Sequence, residues 1–429
     1  MALYIAQILT IFSLNGCPLT DKVETGWYVR LGSDWQGKKQ VDLLDLSTPL
    51  ELIGRPAQFQ RIVQILAQDG DLLIAGAPGC GRRTLVRRAA LEVEALVLEV
   101  DCIRATDGDR FVQLLCEAVS QTFKEAAAQT LIQQWIKSLS ADEFFAFNLQ
   151  ESSGRLRLLR SPRMFVSGTD GKQGVQSTAR SLQPQQLWQG FELLLQLPQY
   201  LGKSLDRRVV LILHNFPHIR SWDRNEAWET YLRQEIKKQS HVNYALIATI
   251  AETSTHSDDA IAPVETVQLA PLADDFFAVW AREILHAQGL TFDSHSPALE
   301  LFLEAAQGHF GDAMALIRRL ITLRQPDGLI HDFQVQAAIQ GLLKDLSMTF
   351  ESLVMLLPAN QVHLLECLAI DPTEKPQSRE YIHKHGLSRG GSLQGALIGL
   401  QHKGLIYGSE QGYRLALPLL ALWIRQRLS

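Results

Sequence analysis

A glycine-rich segment between an apolar run and a helical run constrains the fold of this chain more than any other feature. Residues 76–81 read Gly-Ala-Pro-Gly-Cys-Gly, and the apolar run at residues 71–75 precedes them. Residues 85–91, which follow, have a helix-like pattern. In a strand–glycine loop–helix unit, backbone N–H groups approach phosphate oxygens where the helix starts. We therefore predict an α/β domain with a phosphate-binding loop.

Two arginines follow the last glycine, where the phosphate-binding motif has a lysine that reaches the phosphates and then a hydroxyl that holds Mg²⁺. Arg82 keeps the positive charge, but its planar, forked guanidinium is not equivalent to an ammonium group. Arg83 cannot ligate a cation, and Thr84 comes one position late, although a local shift could recruit it. The loop positions expected to contact a nucleotide are Gly76, Pro78, Gly79, Cys80, Gly81, Arg82, Arg83 and Thr84.

Composition and charge indicate a globular protein with an uneven charge distribution. The 429 residues suffice for two or three domains, and the net charge of −5 gives no overall reason to expect a nucleic-acid partner. Residues 372–429, however, carry eight Lys/Arg against three Asp/Glu. The five cysteines are odd in number and form no C-x-x-C pair, which favours a reducing compartment. The apolar run at residues 2–14 lacks a basic start and is too short to span a bilayer, so we expect a cytoplasmic protein without membrane insertion.

Strands and helices alternate through the first two thirds of the chain. The apolar runs 95–100, 208–213 and 244–250 are predicted as further buried strands, which indicates a parallel α/β sheet. Within the irregular segment 151–186, residues 156–159 and 164–166 are predicted to pair as a small hairpin.

The pattern changes after residue 269, where four helical runs follow with no strand candidates. From residue 357, three short helical runs lead into a strand–turn–strand signature at residues 403–415, which is the pattern of a winged helix. The predicted domains are an N-terminal extension (1–46), a phosphate-loop domain (47–268), a helical lid (269–347) and a winged-helix domain (348–429).

The order of Ile53-Gly54-Arg55, glycine loop, helical lid and winged helix resembles the AAA+/STAND superfamily of P-loop ATPases. The resemblance covers residues 47–429 and is strongest to the archaeal-type branch, which shares features with origin-recognition ATPases. It implies a P-loop NTPase parallel sheet with a helical lid and a C-terminal winged helix. It also implies ATP or ADP as cofactor, with Ile53, Gly54 and Arg55 near the adenine, and oligomer formation.

The same resemblance implies that the strand at residues 209–213 should end in Asp, which holds Mg²⁺, and Glu, which orients the attacking water. This sequence has His214 and Asn215 there, and Arg82 and Arg83 fall on the family's lysine and hydroxyl positions. An amide cannot act as a base, and neutral imidazole is a poor Mg²⁺ ligand. We therefore expect no bound Mg²⁺ and favour binding without efficient hydrolysis. An active ATPase with a variant P-loop and a fold kept without nucleotide remain alternatives.

The weaker signals each have a functional and a plain structural interpretation. Thr249 falls in the family's sensor-1 region, and residues 308–312 resemble a nucleotide-sensing G-x-P element in which Phe310 replaces the proline. The plain alternative for Thr249 is an ordinary polar residue at a strand end, and the alternative for residues 308–312 is a loop between lid helices. The arginines of residues 155–163 suit either contact with phosphates or an exposed strand face.

The C-terminal domain offers the best binding hypothesis. Residues 378–385 are predicted as its second helix and residues 393–403 as its recognition helix, with Leu393, Leu397 and Leu400 facing inward. Outward Gln and Lys side chains of such a helix contact bases and phosphates in DNA readers. This helix, however, has few cations, and it contains small residues that suit close packing against a protein. DNA binding and docking to a protein complex therefore both remain open. The residues expected to contact DNA or a partner are Arg389, Gln394, Gln401 and Lys403.

Overall fold

The computed structural model describes residues 55–139, 145–150, 153–160, 184–223, 225–236, 238–250, 264–388, 390–408 and 412–429. The chain divides into two compact units. One comprises Gly54–Pro271 together with Ile398–Ala416, and the other includes Leu272–Leu397 and Leu417–Ser429.

The described residues contain strands that fit the predicted α/β class. In chain order they are β1 (Leu72–Gly76), β2 (Leu96–Asp101), β3 (Phe145–Gln150), β4 (Arg155–Arg160), β5 (Val209–His214), β6 (Val242–Ala248), β7 (Glu265–Leu269), β8 (Thr291–Phe292) and β9 (Leu329–Ile330).

Helices alternate with these strands in the first unit and dominate the second. The α-helices are α1 (Pro56–Ala67), α2 (Arg82–Glu92), α3 (Gly108–Thr122), α4 (Ala126–Ser138), α5 (Pro184–Leu205), α6 (Ala227–Ile236), α7 (Asp274–Ala287), α8 (Ala298–Ala306), α9 (Phe310–Thr322), α10 (Asp332–Met355), α11 (Ala359–Ile370), α12 (Arg379–His385), α13 (Gly391–His402) and α14 (Pro418–Leu428).

A five-stranded parallel sheet in the order β2-β5-β6-β1-β7 forms the centre of the first unit. Strands β1, β5 and β6 are buried along their whole length, because helices cover both faces of a parallel sheet and select continuous apolar runs. The four strands predicted from apolar runs are confirmed. The edge strand β7 was not predicted. Glu265 and Thr266 are exposed and polar, so the apolar part of the strand is too short to detect.

The first unit contains a hairpin that pairs β4 with β3, a partner that sequence analysis did not predict. Residues 156–159 pair antiparallel with β3, which precedes them, and the predicted partner at residues 164–166 lies outside the described residues. Leu156 and Leu158 are buried against α3, whereas Arg155 and Arg157 are exposed. Gln113 on α3 donates a hydrogen bond to the Leu158 carbonyl at 3.3 Å. This alternation favours the interpretation of the arginines as an exposed strand face.

The second unit is helical, as predicted, apart from one short strand pair. β8 and β9 pair in parallel over two residues each, which is too short to produce an alternating pattern and corrects the expectation of no strand after residue 269. Residues 308–312 connect α8 to the start of α9. Here the buried Asp312 carboxylate accepts a hydrogen bond from the Leu419 backbone N–H at 2.9 Å, and so caps the first turn of α14.

The C-terminal helices and wing follow the predicted pattern. The recognition helix α13 begins at Gly391, two residues before the predicted start, and Leu393, Leu397 and Leu400 are buried as expected. Ile406 and Leu415 form an antiparallel bridge after it. The wing belongs to the same compact unit as the parallel sheet.

Candidate phosphate-binding site

The parallel register of the sheet places three candidate segments at one edge. Strand β6 lies between β1 and β5, with Ala75 beside Ala248 and Leu213 beside Leu246. The glycine loop after β1, the residue after β6 and His214 at the end of β5 therefore meet at the carboxyl edge of the sheet. This edge is where parallel α/β sheets bind their ligands.

The glycine loop has the geometry of a phosphate cradle. Gly79 and Gly81 adopt φ values of 84° and 89°, a backbone conformation that other residues rarely adopt, and Gly81 leads directly into α2. A Cβ atom placed on Gly81 would meet no atom within 4 Å, so the space beside the loop is open. The first N–H groups of a helix have no intrahelical partner. The loop therefore fits a phosphate group at the start of α2.

Arg82 anchors the loop to the sheet. Its side chain is 8% exposed, and its guanidinium donates a hydrogen bond to the carbonyl of Ala248 at the end of β6. Burial lowers the pKa of this guanidinium. The side chain expected to replace the phosphate-contacting lysine is thus directed to a backbone carbonyl at the sheet edge.

Arg55, from the tripeptide expected near the adenine, is also a buried cation. Its guanidinium donates to the Ala270 carbonyl at 2.6 Å, and burial lowers its pKa. It immediately precedes Pro56, the first residue of α1. Ile53 and Gly54 lie outside the described residues.

Arg83 and His214, which stand where the family resemblance implies a hydroxyl and a carboxylate, converge on Glu99 of β2. The guanidinium of Arg83 forms an ion pair with Glu99, Arg87 Nε lies 3.7 Å from the same carboxylate, and His214 Nε2 lies 3.3 Å from it. Burial alone would raise the pKa of Glu99. The hydrogen bond from His214 and the charge and hydrogen bond of Arg83 outweigh it and lower the pKa to about 2.

Asn215, which follows His214, contacts Asp101, the other acidic residue of β2. The side-chain amide of Asn215 donates to Asp101 Oδ1 at 3.1 Å. Asn215 itself adopts a left-handed conformation with φ 52°, which turns the chain into the 3₁₀ segment Phe216–Ser221. Sequence analysis identified His214 and Asn215 but missed Glu99 and Asp101, whose only signal was their acidity within the half-buried strand β2.

These residues do not fit a Mg²⁺ ion. Mg²⁺ requires oxygen ligands in octahedral geometry, whereas residues 83 and 214 present a guanidinium and an imidazole. Thr84, one position later, is exposed on α2. Within the part of the chain that the structure describes, no group of three or more His, Cys, Asp or Glu residues could hold a metal ion.

The wing of the C-terminal domain lies against the glycine loop. Thr249 Oγ1 donates to the His402 carbonyl at 3.3 Å. A Cβ atom on Gly404 would lie 3.3 Å from Pro78 Cδ and 3.5 Å from Thr249 Cγ2. Sequence analysis did not predict this contact, because Thr249 and His402 are 153 residues apart, Pro78 and Gly404 are further apart still, and none of these segments contains a pairing motif.

The residues expected to contact DNA or a partner are divided between the two units. Gln394 is exposed and accepts a hydrogen bond from Gln377 in the helical unit. Gln401 and Lys403 are half-buried in the unit of the sheet, where Lys403 Nζ donates to the Gly399 carbonyl at 3.4 Å. Arg389 lies outside the described residues.

Acidification should remove the stabilisation that ionised Glu99 provides. Its pKa of about 2 in the folded state lies below the ordinary value of 4.5, so its contribution is complete above pH 4.5 and is lost as the pH falls toward 2. The unfolding free energies of the wild type and Glu99→Gln, measured by urea titration across this range, should therefore converge at low pH. A difference that stays constant on acidification would contradict this expectation.

Residues 348–426 match a family model described as a probable winged helix domain. A comparison with curated protein sequences finds no match. None of the described helices is long and apolar enough to cross a membrane.

Three solved structures match most of this chain at 12–14% identity. A Walker-type ATPase of Pyrococcus abyssi matches with a TM-score of 0.58 and 14% identity, over 87% of this chain and 96% of that chain. The ORC1 protein of Aeropyrum pernix, solved in complex with DNA, matches with a TM-score of 0.44 and 14% identity, over 90% and 97%. The RuvB Holliday junction branch migration motor of Thermotoga maritima matches with a TM-score of 0.39 and 12% identity, over 85% and 92%.

At these identities the likeness shows the fold and not the activity. The TM-score of 0.58 over 87% of this chain supports a fold shared with the Pyrococcus structure. The chain has the fold of a Walker-type ATPase, and its residues 348–426 match a probable winged helix domain.

Proposed function

We propose that this protein binds ATP or ADP at its P-loop without hydrolysing it efficiently, and acts by binding, as a scaffold or DNA-associated regulator. The observation that carries this proposal is the Arg83–Glu99–His214 network. The network lies where an active member of the fold needs a metal ligand and a carboxylate. The glycine loop beside it keeps the geometry for phosphate.

The acidic residues of β2 are poor substitutes for the missing base. Glu99 is paired with Arg83 and His214, and its pKa of about 2 makes it a weak proton acceptor near neutral pH. Asp101 accepts a hydrogen bond from Asn215 and another from the Ile103 backbone N–H at 3.2 Å. Both carboxylates therefore have structural partners of their own.

Binding and turnover can be measured separately. We expect a fluorescent ATP analogue to bind the purified protein and phosphate release to remain at the level of the buffer. The variant Arg82→Ala is the control. If the wild type releases phosphate and Arg82→Ala does not, the protein is an active ATPase. Absence of binding under all conditions would favour a purely structural subunit.

A DNA-associated role is proposed on the winged-helix match and the positive charge excess of residues 372–429. Phosphate contacts make DNA affinity fall steeply with salt. Binding of mixed-sequence duplex DNA should therefore weaken as salt increases, and Lys403→Ala should reduce the salt dependence. Absence of any salt-dependent binding would favour docking to a protein instead.

The described cysteines support a reducing compartment such as the cytoplasm. Cys80, Cys102, Cys116 and Cys367 are all buried free thiols. Fractionation of cells that express the tagged full-length chain would test this proposal, and recovery with the membrane fraction would contradict it.

A further inference from the structure

We infer that the P-loop binds the polyphosphate of a nucleotide as the metal-free anion, with the Arg83 guanidinium supplying the positive charge that Mg²⁺ supplies in active P-loop ATPases. This inference rests on the proposed function, because it assumes that the loop binds a nucleotide. It goes further by naming the form of the ligand and the residue that selects it.

The first turns of α2 concentrate positive charge beside the loop. Arg82, Arg83, Arg87 and Arg88 fall within seven residues, and the last three have exposed side chains. Glu99 is the acidic side chain that pairs with Arg83 and Arg87. The cationic groups therefore exceed the acidic group they contact, which suits an anion with several negative charges.

Arg83 is able to exchange Glu99 for a phosphate. Its side chain is 61% exposed, and an ion pair at such a position contributes only about 0–1 kcal/mol. A guanidinium binds phosphate oxygens with two parallel hydrogen bonds, which strengthens the alternative contact. Glu99 would keep His214 as a hydrogen-bond partner after Arg83 moves, so the exchange leaves no unpaired buried carboxylate.

The same charges disfavour the magnesium complex of a nucleotide. Mg²⁺ neutralises part of the phosphate charge and holds its own shell of oxygen ligands. At residues 83 and 214 the complex would meet a guanidinium and an imidazole. The metal-free nucleotide keeps its full charge and finds a cation in place, so it should bind more tightly.

Isothermal titration of the full-length protein with ATP, in excess EDTA and in excess MgCl₂, tests the inference. We expect the affinity in EDTA to equal or exceed that in MgCl₂. Arg83→Thr should weaken binding in EDTA about tenfold, whereas Arg88→Thr, the matched loss of one charge a turn further along α2, should change it by less than about twofold. Glu99→Gln should tighten binding in EDTA because it releases Arg83, and a gain of affinity cannot result from loss of folding.

The outcomes separate this inference from the proposed function. Binding that is about tenfold tighter in MgCl₂ would overturn metal-free recognition but leave nucleotide binding intact. Equal effects of Arg83→Thr and Arg88→Thr would overturn the role of Arg83. No binding in either buffer would overturn both proposals. Thermal unfolding of each variant checks that the fold is retained.

Discussion

Glu229→Ala is expected to lower the free energy of unfolding by about 3–5 kcal/mol, the range for breaking a buried charge pair by removing one partner. The Glu229 side chain is 7% exposed and accepts hydrogen bonds from Arg220 Nε at 2.6 Å and Arg233 Nη2 at 2.8 Å. These contacts outweigh burial, which opposes ionisation, and lower the pKa of Glu229. The Arg233 side chain is 6% exposed, so the variant would remove the carboxylate that pairs with a buried guanidinium.

The matched control for this variant is Glu235→Ala in the same helix. Glu235 pairs with Lys238, whose side chain is 64% exposed and can be solvated when the carboxylate is removed. Glu235 is itself only 11% exposed, but its removal leaves a solvated cation, so we expect a smaller loss than for Glu229→Ala. Urea unfolding of both variants measures the difference, and equal losses would show that the buried network does not act as described.

The Glu229 network also bears on the site. Arg220 belongs to the 3₁₀ segment Phe216–Ser221, directly after Asn215, and Arg233 lies over the ring of Phe216 at 5.2 Å. Glu229 therefore ties the chain beyond β5 to α6. At a temperature where both proteins are folded, Glu229→Ala should bind nucleotide more weakly than the wild type.

Gly76→Ala is the second change with a large expected effect, because no room exists for a side chain at the end of β1. A Cβ atom there would lie 2.8 Å from Cys80 Sγ and 3.1 Å from the Leu269 carbonyl oxygen of β7. Overpacking of this kind costs about 1–3 kcal/mol. Since the clash displaces the loop itself, nucleotide binding should be lost even in molecules that remain folded.

Two further variants sharpen this test. Adding Cys80→Ala to Gly76→Ala removes the sulfur contact but leaves the Leu269 carbonyl, so it should recover part of the lost stability. Gly395→Ala, where an added Cβ meets no atom within 4 Å, is the control and should not destabilise α13. Full stability of Gly76→Ala in thermal unfolding would contradict the close packing at this position.

Local patterns were sufficient for the elements whose signal lies within a few residues. Apolar runs identified β1, β5 and β6 because both faces of these strands are buried. The glycine spacing identified the loop because only its backbone geometry was needed. The same approach missed the half-exposed β7 and also missed β3, the antiparallel partner of residues 156–159. Pairing is a long-range choice that a local pattern does not encode.

The sequence by itself determined that this chain has a glycine loop between a strand and a helix, a parallel sheet and a winged helix, and that Arg83 and His214 stand where the family resemblance implies other residues. Only the tertiary structure decided what the altered residues do instead. Arg83, Glu99 and His214 lie on three separate elements, and Glu99 contacts His214 because the sheet order places β2 beside β5. The physical reason is that side-chain charges interact over a few ångströms in space, whatever their separation along the chain.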